Sequence, residues 1–262
     1  MQIGRFQNKT ETETFYGVIE GNQVLLLDDP FVSLEPRTGK KYNLEELEIL
    51  APCRPSKAVC LGLNYRDHAE EFKLPLPEEP LLFLKPSTSV IGPLKPIVYA
   101  PWSHRVDYEA ELAVVIKKTA HNVREAEAAG YILGYTCAND VTARDLQGKD
   151  KQWTRAKSFD TFCPLGPHIE TDLDPGNQEI FLYLNGELKQ HSSTNRLIFP
   201  VAALVAFISR VMTLLPGDVI LTGTPSGVGK MKPGDIVEVV IPGIGRLKNQ
   251  MAPAEENSDV DR

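Results

Sequence analysis

Residues 107–112, with the sequence DYEAEL, place two acidic residues at the start of an apolar run. Side chains two positions apart in a β-strand point to the same face, so the carboxylates of Glu109 and Glu111 are predicted to project together. Two neighbouring carboxylates repel each other and are costly to remove from water. The pair therefore indicates a protonated carboxyl, salt bridges to Lys or Arg, or a hard metal ion. A solvated strand face is the alternative that involves no chemistry.

A third acidic residue ends a later predicted strand. Residues 131–140, YILGYTCAND, are mainly apolar up to Asn139 and Asp140. An acid at the end of a buried strand is where a third metal ligand is expected. The same position also suits an Asp that caps the N-terminus of a helix.

Residues 63–72, LNYRDHAEEF, bring together a histidine and a carboxylate. If this segment is helical, His68 and Glu71 share one face, because residues three apart are neighbours on a helix. A carboxylate beside an imidazole raises its basicity and fixes its tautomer, as general acid–base catalysis requires. An ordinary surface ion pair is the alternative.

Residues 142–160 are polar and locally basic, and they are predicted to form a loop. Beside an acidic cluster, such a loop can receive the carboxylate of a substrate. Lys157 precedes the apolar Phe162 and is the side chain in this stretch that is predicted to point inward.

Residues 222–230, TGTPSGVGK, are similar to a phosphate-binding loop but depart from its pattern. Thr224 stands where that motif needs its first glycine, and Met231 stands where it needs Ser or Thr. The functional prediction is a glycine-rich turn that lets the backbone and the Thr224 hydroxyl approach a ligand. A plain tight turn is the alternative.

Turn signals and apolar patterning predict the elements that position these residues. Residues 1–55 are predicted to form a small β-rich unit with a hairpin turn at 20–22, a short helix or turn over 44–50, and a linker between two prolines. The main domain is predicted over 56–251, followed by a disordered acidic tail at 252–262. Within the main domain we predict strands at 58–63, 81–84, 107–116, 131–140, 179–184, 219–221 and 236–241, with a hairpin turn at Asn185-Gly186. We also predict a helix to about 129 with a capping box of Asn122 and Glu125, and a helix from about 200 that stops before Pro216.

Composition excludes several classes of protein. With 262 residues, 42% hydrophobic and 24% charged, the chain is typical of a globular protein with a real core. A net charge of −7 without a run of Lys or Arg argues against a nucleic-acid or anionic-membrane partner. The four cysteines are scattered, so neither a zinc knuckle nor a disulfide framework is indicated. No stretch approaches the length of a membrane span, and a cytoplasmic location is expected.

Seven motifs, in order, resemble the fumarylacetoacetate hydrolase family over about residues 56–250. They are GLNYRDHAEE, EEPLLFLKP, DYEAELAVVI, GYTCANDVTARDLQ, KSFDTFCPLGP, NGELKQ and PGDVILTGTPSGVG. The small N-terminal unit also resembles one that precedes the catalytic domain in many bacterial members.

The resemblance implies a fold that is mainly β with a few helices (α+β), built as a mixed β-roll, and usually a homodimer. It implies a Mg²⁺ or Mn²⁺ ion bound by three acidic residues, an acid/base pair on a flexible lid, a lysine facing the ion, and further positions near the substrate. By motif these are Glu109, Glu111 and Asp140 for the metal, His68 and Glu71 for the lid pair, Lys157 for the lysine, and Arg144, Gln147 and Thr224 for the substrate. A fourth acidic residue upstream of the histidine in larger members has no clear match here.

The resemblance also implies a small anionic 2-oxo acid as substrate and chemistry through its enolate. The presence of both His68 and Glu71 favours hydrolysis of an acylpyruvate, with oxaloacetate decarboxylation as a second activity. The alternatives are isomerisation of 2-hydroxyhepta-2,4-diene-1,7-dioate and keto–enol tautomerisation of oxaloacetate. A non-catalytic metabolite-binding protein is a further alternative, which predicts the loss of a metal ligand or of the His–Glu pair.

Overall fold

The chain is mainly β with a few helices, as the sequence predicts. The computed structural model describes residues 1–9, 13–37, 39–73 and 75–254. The first part of the chain forms β1 (Gln2–Asn8), β2 (Thr14–Glu20), β3 (Gln23–Leu27), β4 (Lys41–Asn43) and β5 (Leu47–Leu50), with a 3-10 helix at Leu44–Glu46.

The predicted hairpin is confirmed, because β2 pairs with β3 across a turn in which Gly21 has a φ of 59°. The short helix or turn predicted over 44–50 holds only for its first residues. Residues 47–50 instead form β5, which pairs antiparallel with β1. This pairing satisfies the backbone groups of residues 5–8 of β1 on the side that does not face β2. Secondary-structure propensity alone did not indicate a strand at 47–50.

The rest of the chain supplies the remaining strands and all the α-helices of the described residues. The helices are α1 (Arg66–Phe72), α2 (Arg144–Asp150), α3 (Thr154–Lys157) and α4 (Val201–Val211), with 3-10 helices at Ser87–Ser89, Glu125–Tyr131 and Thr194–Arg196. The strands are β6 (Lys57–Leu61), β7 (Leu82–Pro86), β8 (Val90–Ile91), β9 (Pro96–Val98), β10 (Val106–Tyr108), β11 (Ala110–Ile116), β12 (Ile132–Asn139), β13 (Thr142–Ala143), β14 (Cys163–Glu170), β15 (Glu179–Leu184), β16 (Glu187–Ser193), β17 (Val219–Leu221), β18 (Gly229–Met231), β19 (Ile236–Ile241) and β20 (Gly245–Ala252).

The strands form two larger sheets and one small sheet. The largest runs in the order β4-β3-β2-β1-β14-β12-β11-β17-β6-β7, and the second in the order β16-β15-β19-β20-β9. The small sheet is β13-β10-β18. The first sheet is mixed, because β17 pairs parallel with β6 whereas β11 pairs antiparallel with both β12 and β17. The N-terminal strands join it through the antiparallel pair of β1 with β14.

Strand β11 lies in the middle of the first sheet and is buried along its whole length. Its alternate residues enter two different apolar clusters. Leu112 and Val114 pack with α4 and the second sheet. Ala113 and Val115 lie on the other face of the first sheet, where they pack with side chains of its neighbouring strands. Because both faces are covered, the strand reads as a continuous apolar run rather than an alternating one.

Two local predictions are wrong. The capping box of Asn122 and Glu125 does not form, since Asn122 has a φ of 52° and the helix that follows is a 3-10 helix without a side-chain cap. Residues 142–160 are not a plain loop, because β13, α2 and α3 lie within them. The hairpin turn at Asn185-Gly186 is confirmed, with φ of 53° and 80°.

The tail predicted at 252–262 falls mostly outside the described residues, and within them Ala252 completes β20. Across the described part of the chain, no helix is long and apolar enough to cross a membrane.

Candidate metal centre

Three acidic side chains converge where β11 begins and β12 ends. Glu109 lies between β10 and β11, Glu111 lies in β11, and Asp140 directly follows β12. Each offers one carboxylate oxygen, and these three oxygens lie within 4.8 Å of one another. All three residues are buried. The two glutamates therefore project together, and the third acid joins them.

The antiparallel register of β11 and β12 explains this meeting. Ala110 is opposite Asn139, and just beyond this pair the backbone N–H of Asp140 donates to the carbonyl of Glu109 at 2.9 Å. The side-chain oxygen of Asn139 accepts from the backbone N–H of Glu109, also at 2.9 Å. These two bonds fix the backbone of the first glutamate against that of the aspartate.

Two buried lysines bond to the two oxygens of Asp140. Lys157 Nζ lies 2.6 Å from Asp140 Oδ2 and 2.8 Å from Glu109 Oε2. Lys85 Nζ lies 2.5 Å from Asp140 Oδ1 and 3.0 Å from the carbonyl of Val141. The inward orientation predicted for Lys157 is confirmed. Lys85 was not predicted, although a lysine at the end of the apolar segment LFLKP was a signal that it is buried.

Arg144 contacts the other oxygen of Glu109. Its Nη2 donates to Glu109 Oε1, its Nε donates to Asp107 Oδ2 at 2.9 Å, and its Nη1 donates to Gln147 Oε1 at 2.6 Å. Asp107 is fully buried and also accepts from Arg105 Nε at 2.9 Å. Asp107 thus holds Arg144 against the cluster. Its role was not predicted from the sequence, although Asp107 is the first residue of the DYEAEL segment.

These charges separate the behaviour of the two glutamates. Burial alone would raise the pKa of Glu109, but the cations of Lys157 and Arg144 outweigh it and hold that pKa well below its usual range. For Glu111, burial and then the negative charges of Asp140 and Glu109 raise the pKa well above its usual value. Lys157 keeps its proton, since the attraction of the same two carboxylates raises its pKa despite burial.

Glu111 is the acid of the cluster that no cation contacts within the described residues. Its Oε2 accepts a hydrogen bond from the backbone N–H of Gly223 at 2.6 Å. A buried carboxylate without a cation must take up a proton or bind a metal ion. The donor set is all oxygen, which suits a hard ion such as Mg²⁺ or Mn²⁺ and disfavours zinc or copper. The three acids therefore fit the kind of ion that the sequence implies.

Helix α1 brings the His–Glu pair to the same region. His68 Nδ1 lies 3.7 Å from Glu71 Oε2, and this oxygen also accepts from the backbone N–H of Gly227 at 3.2 Å. Burial lowers the pKa of His68, while the charges of Glu109 and Glu71 oppose that effect. The imidazole is thus mainly neutral near pH 7, which is the form that accepts a proton.

The glycine-rich turn after β17 packs closely against β16. Gly227 has a φ of 90°, and a Cβ at this position would lie 2.4 Å from the carbonyl oxygen of Lys189. Only glycine fits there. Thr224 in the same turn is buried, and its Oγ1 accepts from Nε2 of Gln190 at 2.9 Å.

The residues singled out in the sequence are thus brought together to different degrees. Five of them are in direct contact within the cluster: Glu109, Glu111, Asp140, Lys157 and Arg144. Gln147 is connected to the cluster through its hydrogen bond with Arg144, and Thr224 follows Gly223, which bonds to Glu111. His68 and Glu71 lie on α1.

Residues 57–252 match the family described as Fumarylacetoacetate (FAA) hydrolase, C-terminal, and residues 1–52 match the family described as Rv2993c-like, N-terminal. This chain belongs to the fumarylacetoacetate hydrolase family. The resemblance carried by its seven motifs is therefore confirmed.

Relatives in this family include proteins that are named for different activities. An uncharacterised protein of Archaeoglobus fulgidus is 59% identical over 211 residues, which are 80% of this chain and 84% of that protein. The mitochondrial oxaloacetate tautomerase fahd2 of Xenopus laevis is 46% identical over 216 residues, 78% of this chain and 68% of that protein. The crystal structure of 2-hydroxyhepta-2,4-diene-1,7-dioate isomerase from Mycobacterium marinum is 42% identical, with a TM-score of 0.90 over 97% of this chain and 100% of that one.

Proposed function

We propose that this family member is a divalent-metal-dependent enzyme that interconverts the keto and enol forms of a small 2-oxo dicarboxylic acid such as oxaloacetate. The observation that carries the proposal is the buried cluster of Glu109, Glu111 and Asp140, together with the cations that surround it. The tautomerase and isomerase relatives support the same reaction type, because both reactions move a proton next to a carbonyl group.

The three acids would hold the ion, which we propose to be Mg²⁺ or Mn²⁺. A bound ion of this kind stabilises negative charge on the 2-oxo oxygen as a Lewis acid. The protein supplies the matching donor set and withdraws it from water. Glu111, whose pKa is raised in the metal-free protein, would ionise when the ion binds.

The charges around the cluster favour a ligand with two negative charges. Lys85, Lys157 and Arg144 bond to the carboxylates of Asp140 and Glu109, and their three positive charges balance the three acids once Glu111 is ionised. A divalent ion therefore adds two positive charges to a buried and otherwise neutral site, and these are offset best by a dianion. Oxaloacetate and other 2-oxo dicarboxylates carry that charge.

His68 is the proton acceptor in this proposal. The imidazole, neutral near pH 7, would accept a proton from the carbon next to the 2-oxo group. It would then donate this proton to the 2-oxo oxygen, which gives the enol. Lys157 cannot act as the base, since its raised pKa keeps it protonated. Its positive charge instead favours the anion that forms when the proton leaves.

Acylpyruvate hydrolysis is the second candidate, and the His68–Glu71 pair is the observation in its favour. The same neutral imidazole could remove a proton from water, and the water would then attack the second carbonyl of the substrate. The sequence-based preference for hydrolysis, with oxaloacetate decarboxylation beside it, stays a prediction. Non-catalytic metabolite binding is disfavoured, because neither a ligand of the cluster nor the His–Glu pair is lost.

The decisive experiment compares activities of the purified protein with Mg²⁺ and with a chelator. Enol oxaloacetate, an acylpyruvate, and 2-hydroxyhepta-2,4-diene-1,7-dioate are each followed by their ultraviolet absorbance. We expect Mg²⁺-dependent loss of enol absorbance to be the fastest reaction. Faster Mg²⁺-dependent cleavage of the acylpyruvate would favour the second candidate, and rates unaffected by the chelator would contradict both.

We also propose that the chain forms a homodimer, as the family resemblance implies. The chain mass is 29.1 kDa. Light scattering on the eluted protein should therefore give twice that value, and the chain mass itself would contradict the proposal.

A further inference from the structure

Gln190 connects the glutamate segment to the glycine-rich turn. Its side chain on β16 is buried, with 1% of the residue exposed. The amide oxygen accepts from the backbone N–H of Ala110 at 3.0 Å, and Ala110 stands between the two glutamates of the cluster. The amide nitrogen donates to Thr224 Oγ1 and to the carbonyl of Pro225, each at 2.9 Å. Neither the chemistry proposed above nor the motif that ends in this glutamine gives it a role.

The partners of this amide allow only one orientation. The backbone N–H of Ala110 can only donate, and the carbonyl of Pro225 can only accept. The amide oxygen must therefore face Ala110, and the amide nitrogen must face Pro225 and Thr224. A flipped amide would set two donors against each other and two acceptors against each other.

The consequence falls on the Thr224 hydroxyl. Its oxygen accepts a hydrogen from Gln190, so its own hydrogen has to be donated elsewhere. Within the part of the chain that the structure describes, this hydroxyl donates to no acceptor. The preceding residue, Gly223, bonds to Glu111, so Thr224 stands beside the candidate metal centre.

We infer that Gln190 is a positioning residue that holds the Thr224 hydroxyl as a hydrogen-bond donor, and that the site thereby selects a ligand oxygen that accepts. This inference rests on the proposed function and on the position near the substrate that the family resemblance implies for Thr224. A carboxylate or enolate oxygen of a 2-oxo acid satisfies the hydroxyl. An amide or amine nitrogen at the same place would set its N–H donor against the O–H donor of Thr224, which weakens binding by about 10-fold or more.

The test uses two ligands of nearly the same shape, oxalate and oxamate, on the Mn²⁺-loaded protein. Oxamate replaces one carboxylate oxygen with an NH₂ group. Calorimetry gives the dissociation constant of each ligand, and the ratio of the two constants is the quantity compared between variants. Because the charge difference between the ligands is the same for every variant, a change in the ratio reports on the hydrogen bond.

The variants are Gln190→Met, Thr224→Val and a control, Gln178→Met. Gln178 is also a glutamine whose amide donates to a carbonyl, that of Asp174, but it lies outside the cluster. In Gln190→Met the Thr224 hydroxyl can turn and accept, so the preference for oxalate should fall about fivefold or more. Thr224→Val should lower it similarly, and Gln178→Met should leave it unchanged.

The outcomes separate this inference from the proposed function. If Gln190→Met weakens both ligands in parallel and keeps the ratio within about twofold, the glutamine only supports the fold and the inference is overturned. If that variant does not fold, Thr224→Val decides, since an unchanged preference there also overturns it. Failure of the unaltered protein to bind oxalate in a Mn²⁺-dependent way would instead overturn the proposed function.

Discussion

The ammonium group of Lys85 lies 2.5 Å from Asp140 Oδ1, while Lys157 bonds to the other oxygen of the same carboxylate at 2.6 Å. Lys85 is fully buried. Two buried cations thus hold one aspartate from both sides. These two contacts fix the orientation of the carboxylate beside the two glutamates.

Lys85→Met tests this relationship through stability. Removing one partner of a buried ion pair leaves the other charge uncompensated and costs about 3–5 kcal/mol. We expect a loss of that size in the free energy of unfolding in chelator, measured by urea denaturation. With saturating Mn²⁺ the loss should be smaller, because the ion supplies positive charge beside Asp140.

Lys95→Met is the matched control, since Lys95 forms an exposed ion pair with Glu48. It should cost no more than about 1 kcal/mol under either condition. An equal loss for Lys85→Met with and without Mn²⁺ would show that the lysine serves packing rather than the charge of the cluster.

Glu111 predicts a pH dependence in the metal-free protein. Its pKa in the folded state is raised above the ordinary value of 4.5, so its contribution to stability is present below that pH and is lost as the pH rises through the folded pKa. Glu111→Gln cannot ionise. In chelator, the variant should therefore be more stable than the unaltered protein at pH 7, by about 1 kcal/mol or more.

The difference between the two proteins should shrink as the pH falls to 4.5 and below, because Glu111 then becomes protonated in the unfolded state as well as in the folded state. Thermal melts at several pH values in chelator provide the measurement. A variant less stable than the unaltered protein at pH 7 would mean that Glu111 is ionised and favourably paired without metal. Glu109→Gln is the useful contrast, because the pKa of Glu109 is lowered and its loss should destabilise the protein at neutral pH.

The parts of the site that could be predicted from the sequence are those whose residues are close together along the chain. The joint projection of Glu109 and Glu111 follows from strand periodicity, and the buried Lys157 follows from its apolar neighbours. The position of Asp140 beside them depends on the register of two strands, which a pattern does not fix. Family motifs supplied that position.

Contacts between distant segments were missed for the same reason. Lys85 meets Asp140 across 55 residues, and Gln190 meets Ala110 across 80 residues. A lysine or glutamine inside a strand pattern reads as an exposed residue unless its partner is known. The wrong capping box at Asn122 has a local cause, because its left-handed backbone differs from the extended conformation of an N-cap.

His68→Ala is expected to separate metal binding from proton transfer. The imidazole contributes a base rather than a ligand, so Mn²⁺ affinity should stay within about twofold while kcat falls about 100-fold or more. Because burial lowers the pKa of His68, the acidic limb of kcat/KM in the unaltered protein should lie below pH 6.5. Activity then rises with pH as the imidazole loses its proton.

The contrary result would be a variant that loses Mn²⁺ binding together with activity, which would make His68 a ligand. The two activities, acylpyruvate cleavage and oxaloacetate tautomerisation, should also be compared in this variant. If His68→Ala lowers acylpyruvate cleavage far more than oxaloacetate tautomerisation, the histidine serves water activation. A pH profile unchanged by the substitution would remove the imidazole from the chemistry.

The most direct test of the metal centre is a Mn²⁺ titration of the purified protein, followed by electron paramagnetic resonance. The cluster predicts one ion per chain and a loss of affinity greater than about 100-fold in Glu109→Ala. It predicts no change in Glu125→Ala, which removes an exposed glutamate that is not part of the cluster. Equal Mn²⁺ affinity in the unaltered protein and in Glu109→Ala would contradict the claim that these three acids bind a metal.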